Sequence, residues 1–427
     1  MSIFSLSGKP ENPWARRARL LDRYHWQVLR SRHGRAGSAL RFARDALISL
    51  VLGGWAHCRL ARTLEAGCCD FLLLQASPKV QRLQRKRALV DQLRQRGHQV
   101  VDTVLLPPAD LLACRQLLRP PQPVPLRYFL QAAHAWWLVN RYRPAILLND
   151  RNGSYYSPFL RLALQVHQGL LVQLAHSSTL EDARRLGMND YDYYFLFGQS
   201  SLQALQQRPL RLGSSRAVLS GSYLVDHRYV LPPARLSRCS VLVLGLGPDK
   251  EKEAGYQYTY RLLLDWAVQQ PDCRMMVKLH PRSRGGFWRQ AALAQDNLQI
   301  LPADSDLAWA LERATLVISI MSNAVLEAAL AGRPVLYVNA SGEADLLEQA
   351  RFFGEAIRDV RTLQQRLGEL EQPQAHAWQV ARSADFVRHH LAHGTEGLAQ
   401  TLALLEQLLH QGHCAGVELP AAGPGLV

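Results

Sequence analysis

Nothing in this sequence is apolar for long enough to cross a bilayer. The longest apolar run near the amino terminus, residues 46–56, stops at His57 and Arg59, short of the roughly 20 residues a spanning helix needs. The opening ten residues lack the apolar core of a signal peptide, so export is not expected and the chain is assigned to the cytoplasm. The seven cysteines, Cys58, Cys68, Cys69, Cys114, Cys239, Cys273 and Cys414, form no C-x-x-C pair and no cysteine–histidine cluster at zinc spacing. Most are expected to be core thiols, with adjacent Cys68 and Cys69 the candidates for redox chemistry. Acidic residues are scarce too: 35 stand against 50 lysines and arginines, a formal charge of +15. Such an excess attracts nucleic acid, an anionic leaflet or an anionic glycan. No helix-turn-helix spacing or aromatic–basic RNA motif supports a nucleic-acid partner.

With 427 residues and 48% hydrophobic content, the chain exceeds one ordinary domain and two are expected. The arginines cluster early: Arg16, Arg17, Arg19, Arg23, Arg30, Arg32, Arg35, Arg41 and Arg44 are interleaved with Trp14, Leu20, Leu21, Tyr24, Trp26, Val28 and Leu29. The mixture suits a helix lying on the anionic inner leaflet; a helical collar packed on the protein with solvated arginines fits equally. From residue 70, short apolar runs alternate with amphipathic stretches, the pattern of βα units around parallel sheets. A first series has strands at 71–75, 99–105, 145–149, 170–174, 193–197 and 217–220, with helices at 79–97, 127–141 and 156–167. A polar, Pro-containing stretch at 226–238 reads as a linker. A second series has strands at 240–244, 274–279, 298–301, 316–319 and 334–338, with helices at 254–269, 287–295, 306–313, 323–331 and 345–353. The expected division is a basic helical region (1–65), an α/β domain (66–225), a linker (226–239), a second α/β domain (240–374), helices without further strands (375–412) and a flexible tail (413–427). Ligands of such sheets bind beyond the carboxyl ends of the strands, here in a cleft between the two domains.

Three motifs follow strands. In Val277-Lys278-Leu279-His280-Pro281-Arg282, Pro281 ends the ladder and aims Lys278, His280 and Arg282 at a phosphate leaving group, whose developing charge needs such donors; a histidine capping a strand end is the plainer alternative. In Ser319-Ile320-Met321-Ser322-Asn323, followed by Glu327 and Gly332-Arg333-Pro334, a turn leads to a helix with Ser322 or Asn323 at its N-cap. That is a phosphate site or ordinary capping, with Glu327 one turn in where it would accept from ribose hydroxyls. In the first domain Asp150 follows Asn149, and His176 follows Gln173-Leu174-Ala175. Either would serve as general base toward an attacking hydroxyl, with Tyr155 and Tyr156 placed to stack on a sugar; Asp150 also reads as a helix cap. The triplets Asp190-Tyr191-Asp192 and Asp304-Ser305-Asp306 sit at a strand entry and a helix start, so no metal is expected. Gly245-Leu246-Gly247-Pro248 supplies flexible backbone near a ligand but lacks the full G-x-G-x-x-G pattern, so no dinucleotide cofactor is expected.

In this order the residues resemble the GT-B glycosyltransferases of bacterial capsule and surface-polysaccharide synthesis, the group of polysialyltransferases, capsule Kdo-transferases and CDP-glycerol glycerophosphotransferases. His280-Pro281, the Ser322 turn with Glu327 and the Gly-x-Pro exit, His176 with the later strand ending at Gly198, and the helical segment 388–404 carry the likeness over roughly residues 140–405. The chain departs from it with Ser-Asn where polysialyltransferases have two serines, and with no glycine after His176. The resemblance implies two doubly wound Rossmann-type domains facing a central cleft, followed by C-terminal helices; the N-terminal basic helices, up to about residue 65, have no counterpart in it. It implies inverting, metal-independent transfer from a CMP- or CDP-type nucleotide-sugar donor, itself the substrate with no separate cofactor, to a glycan or glycolipid acceptor of surface-polysaccharide or lipopolysaccharide synthesis; the N-terminal arginines would bring the chain to the inner membrane. Donor-side residues would be Lys278, His280, Arg282, Ser319, Ser322, Asn323, Glu327, Gly245 and Gly247, with Asp150, His176 and His280 catalytic. A nucleotide-sugar epimerase of similar build is the alternative within enzymes, and a nucleic-acid-binding protein the alternative outside them.

Overall fold

Strands that are buried on both faces read as nearly continuous aliphatic runs, and these runs set the architecture of the computed structural model, which describes residues 11–180, 184–234, 239–302, 304–419 and 421. Strands β1 (Cys69–Gln75), β2 (Val100–Val104), β3 (Pro144–Asn149), β4 (Leu170–Leu174), β5 (Tyr193–Leu196) and β6 (Ser215–Leu219) come first, then β7 (Ser240–Leu244), β8 (Arg274–Lys278), β9 (Leu298–Leu301), β10 (Leu316–Ser319) and β11 (Val335–Tyr337), and finally β12 (Val417–Leu419). They form two sheets in the orders β12-β6-β5-β4-β3-β1-β2 and β11-β10-β7-β8-β9. Every pairing is parallel except β12 with β6.

The chain divides into two units, Met1–Leu196 with Ser201–Leu224 and Ala399–Val427, and Phe197–Ser200 with Val225–Leu398. In the first unit Phe71, Leu72, Leu73, Ile146, Leu147, Leu171 and Val172 are buried along the sheet. In the second, Val241, Val243, Met275, Val277, Ile318 and Leu336 pack beneath Tyr256, Tyr260 and Trp266 of the Ala254–Gln269 helix.

Several expectations need correcting. The single helix at 79–97 is two, Pro78–Arg82 and Arg87–Gln95, because Gln84 takes a left-handed φ of 48° between them. The tail is not strand-free, since β12 adds an antiparallel edge to β6; alone, three residues carry no legible period. Residues 235–238 of the linker and 420 and 422–427 of the tail lie outside the described residues. Cys239 and Cys273 are not core thiols but a disulfide. The β7–β8 register pairs Ser240 with Arg274, which brings the preceding cysteines together across 34 residues of sequence. Cys68 is exposed and Cys69 buried. Burial, then Asp70, pushes the Cys69 thiol up to about 12, away from the thiolate that redox chemistry requires.

The basic amino-terminal helix α1 (Pro13–Arg30) turns Trp14, Ala18, Leu21 and Tyr24 into the protein. Trp14 stacks on Phe159 at 5.9 Å. Trp14, Leu21 and Tyr24, expected to enter lipid from α1, are therefore packing residues, whereas Trp26 is exposed; Arg16, Arg19 and Arg23 face outward while Arg17 pairs with the buried Asp190 at 3.2 Å.

Two buried histidines give the fold a pH dependence. His134 lies in the first unit, its Nδ1 2.9 Å from the Gln116 carbonyl, and His390 lies in the second, 2.8 Å from Ser200 Oγ. Burial lowers each ring to about 4. A folded-state value below the unfolded 6.5 means that the unfolded chain binds more protons between those limits. Stability should therefore fall as pH drops from about 6.5 toward 4, by at most about 3 kcal/mol per ring. Melting temperatures across pH 4.5–7.5 should show this fall, and His134→Gln should flatten part of it. A flat wild-type profile would mean that neither ring is held neutral.

Candidate functional site

In the second sheet the chain begins centrally with β7, builds outward through β8 and β9, then returns to add β10 and β11 on the other side. The connections leaving β7 and β10 diverge, which opens a crevice beyond their carboxyl ends, the ligand position in open α/β sheets. The Gly245 N–H donates to the Lys278 carbonyl at 2.9 Å. A Cβ at Gly245 would stand 2.9 Å from that same oxygen and 3.3 Å from the His280 nitrogen. Only glycine lets the loop after β7 lie this close to the turn that carries His280.

That turn is rigidly built. His280 Nδ1 accepts from the Arg282 N–H at 3.1 Å, so a neutral ring carries its proton on Nε2. The His280 carbonyl accepts from Ser283 N–H at 2.8 Å. Ser283 Oγ donates to the Glu251 carboxylate and accepts from Gly285 N–H, tying the loop after β8 to the one after β7. Arg282 Nη2 reaches to 3.8 Å from where a Cβ of Gly247 would be. Gly245, Gly247, His280 and Arg282 are thus brought together. Lys278 is drawn the other way, donating to the Pro302 carbonyl beyond β9 at 3.3 Å. Burial lowers its ammonium below the ordinary lysine value, opposed by nearby Asp304 and Asp306.

Beyond β10, the Ser319 hydroxyl is buried with no hydrogen-bond partner among the described residues. Ser322 Oγ accepts from Ala324 N–H at 3.3 Å. The helix then begins only at Val325 and spans six residues, with Ala324 rather than Ser322 or Asn323 as its cap. So short a helix has little macrodipole, and the phosphate argument rests on the turn's own donors instead. Glu327 is in its first turn, near enough to Tyr229 to add to the burial that raises that phenol. Arg333 serves the core: nearly inaccessible, it donates to the carbonyls of Leu311 at 2.7 Å and Pro232 at 2.9 Å.

Sequence reasoning missed a polar cluster at the loop after β11. Tyr256 Oη contacts Met321 Sδ at 2.6 Å, Thr259 Oγ1 accepts from Ala340 N–H at 3.1 Å, and Asn339 Oδ1 accepts from the Ser341 N–H and hydroxyl. The sequence Asn339-Ala340-Ser341-Gly342, immediately after an apolar run, was the available signal.

The first sheet has its own switch point, between β1 and β3. Asp150 follows β3, and its Oδ2 is bound by Lys86 Nζ from the segment after β1. Both residues are only 4% exposed, and Asp150 Oδ1 has no hydrogen-bond partner among the described residues. Beside it a chain of amides crosses the strand ends: Asn149 donates to Gln173, and Gln173 at 2.9 Å and Tyr194 at 3.0 Å both donate to Asn152 Oδ1. Asp150 is therefore an ion-paired buried carboxylate rather than a helix cap. His176 is exposed. Tyr155 lies tilted against His25 of α1 but stays 36% exposed, and Tyr156 packs edge-on against His134. Asp190 and Asp192 both bind Arg161, at 2.8 and 2.9 Å, and Asp306 caps the Leu307–Glu312 helix. Each triplet has a structural task, and no group of three or more metal-ligating side chains occurs among the described residues.

Among solved structures, a Listeria monocytogenes protein assigned as a UDP-N-acetylglucosamine 2-epimerase is similar with a TM-score of 0.53 and 12% identity, over 83% of this chain and 99% of the other. S. aureus MnaA, solved with UDP, gives 0.52 at 9% identity, over 82% and 99%. The Neisseria meningitidis UDP-GlcNAc 2-epimerase bound to UDP-GlcNAc gives 0.50 at 11%, over 79% and 99%. This is the GT-B fold. The sequence matches no family model and no curated protein. The expected fold class is the observed one, while the narrower capsule group is not distinguished by these likenesses.

The Lys86–Asp150 pair is testable apart from any activity. Lys86→Met should destabilise the protein by about 3–5 kcal/mol, because it strands a buried carboxylate, whereas a double replacement by apolar residues should recover much of that loss. Urea unfolding measures both, and a near-neutral Lys86→Met would show the pair to be solvated.

Proposed function

We propose that this chain is a nucleotide-sugar enzyme whose nucleotide sits at the β7/β10 switch point of the second unit. His280, Arg282 and the 319–323 turn would surround the phosphates, and Glu327 would accept from the ribose. The close approach of Gly245 to the His280 turn, together with the buried Ser319 hydroxyl that has no partner among the described residues, carries this reading. Similar folds solved with UDP and UDP-GlcNAc support it.

Two reactions suit such a site. Epimerisation of the sugar is favoured by the structural neighbours. Glycosyl transfer is favoured by the His280-Pro281 and Ser322-to-Pro334 sequence likeness, with Asp150 or His176 as base toward an acceptor hydroxyl. In transfer, donors fixed by the fold would stabilise charge on the departing diphosphate or phosphate oxygen without reorganising as it develops; in epimerisation the same donors would hold the nucleotide while the sugar carbon inverts.

Melting curves with UDP, CDP and CMP test the binding site. A nucleotide at a hundred times its Kd should add about 2.7 kcal/mol of stability, and His280→Ala should reduce that gain while leaving the unliganded melt nearly unchanged. No stabilisation by any nucleotide would overturn the proposal.

Product analysis with the nucleotide sugar alone separates the reactions. A new sugar epimer without any acceptor means epimerisation, whereas turnover that requires an added glycan means transfer. With the active donor identified, His280→Ala should lower turnover by about a hundred- to a thousandfold.

A further inference from the structure

The second basic helix, α2 (Arg35–Cys58), uses only one side to hold the protein. Ser38, Gly53 and Ala56 are buried. Phe42 faces the rings of His25 and Trp26, with the Arg127 guanidinium 4.3 Å from its centroid. At Gly53 the helix presses so closely on the 3-10 turn Leu126–Tyr128 that a Cβ would collide with the Leu126 carbonyl.

The opposite side is apolar and bare. Leu40 is 74% exposed, Leu47 64%, Ile48 52%, Val51 62% and Trp55 53%. At 1.5 Å per residue the stripe from Leu40 to Trp55 runs ~22 Å along the helix. An exposed apolar face of this length, interrupted only by Arg44, marks an interaction surface, yet no helix among the described residues is long and apolar enough to cross a membrane.

The surrounding charge selects what covers it. Residues 11–64 hold eleven arginines, no lysine and three acidic residues, and each acid is already engaged. Glu11 pairs with Arg16 and Arg19, Asp22 with Arg127, and Asp45 with His25 and Arg44. Arg23, Arg32, Arg35 and Arg41 are exposed with no carboxylate partner among the described residues. An apolar stripe edged by uncompensated arginines complements a surface whose interior is hydrocarbon and whose rim is negative.

We propose that α2 lies flat on an anionic lipid surface, its Leu40–Leu47–Val51–Trp55 stripe entering the acyl boundary and its arginines meeting the headgroups. The inference does not depend on the nucleotide-sugar reading and is tested without nucleotide.

The test is co-sedimentation of the full chain with phosphatidylglycerol–phosphatidylcholine vesicles and with phosphatidylcholine alone, at low and high salt. Binding should require the anionic lipid and weaken with salt. Arg32→Gln/Arg35→Gln/Arg41→Gln should lower the partition coefficient by about a hundredfold at low salt. Leu40→Ser/Leu47→Ser/Val51→Ser should lower it at least tenfold at either salt concentration. Because all six side chains are exposed, both variants should melt like the wild type, and a melting curve run alongside checks that a loss is not unfolding. Wild-type protein that ignores anionic vesicles would overturn the proposal. So would binding that survives both triple variants, or that depends on residues 1–10 instead. A concentration-dependent dimer abolished by the serine variant, with no vesicle binding, would assign the stripe to a second copy of the chain.

Discussion

Parallel strands joined by right-handed crossovers all point the same way, so every loop leaving a strand emerges at one edge of its sheet. The candidate chemistry depends on this constraint. It gathers Gly245, His280 and Ser319, which are up to 74 residues apart by their numbers, at the carboxyl edge of the second sheet. It also places Asp150 beside Lys86 at the corresponding edge of the first. The same rule sends the Cys239–Cys273 disulfide to the opposite edge, at the entries of β7 and β8. There it can staple the strands without intruding on the loops.

Polar residues inside these units do two kinds of work, and their partners tell them apart. Arg161 donates to Asp190 and Asp192, and Arg333 donates through Nε and Nη1 to backbone carbonyls. Such groups lock loops in place and are costly to disturb because a stranded partner stays buried. Ser319 and Asp150 keep a buried oxygen without a hydrogen-bond partner among the described residues. An unsatisfied polar atom at a switch point is the arrangement expected where a ligand completes the set.

The amino-terminal helices show how one composition serves two ends. Both mix arginine with aromatic and aliphatic residues, but α1 spends its apolar side on the first unit while α2 leaves most of its own outside. The difference is geometric. Gly53 and Ala56 let α2 dock through small residues, so its larger side chains are not needed for packing and face outward.

The sequence by itself determined the βα alternation and nearly all strand positions, because a strand buried on both faces must be apolar for four to seven residues and little else is. β4, β7, β9 and β10 begin and end where the aliphatic runs do. It also placed His280, Arg282, Ser319 and Asp150 after strands, which suffices to put them at a carboxyl edge. Tertiary structure alone decided which loops became neighbours. Strand order brings β10 beside β7, and no local period encodes that order. Tertiary contacts likewise fixed the partners of the polar side chains: Lys86 for Asp150, Arg161 for the first acidic triplet, Pro302 for Lys278 and Cys273 for Cys239. A residue's type announces the charge or hydrogen bond it offers. Only the fold sets the distance and burial that determine whether that offer goes to the protein or to a ligand.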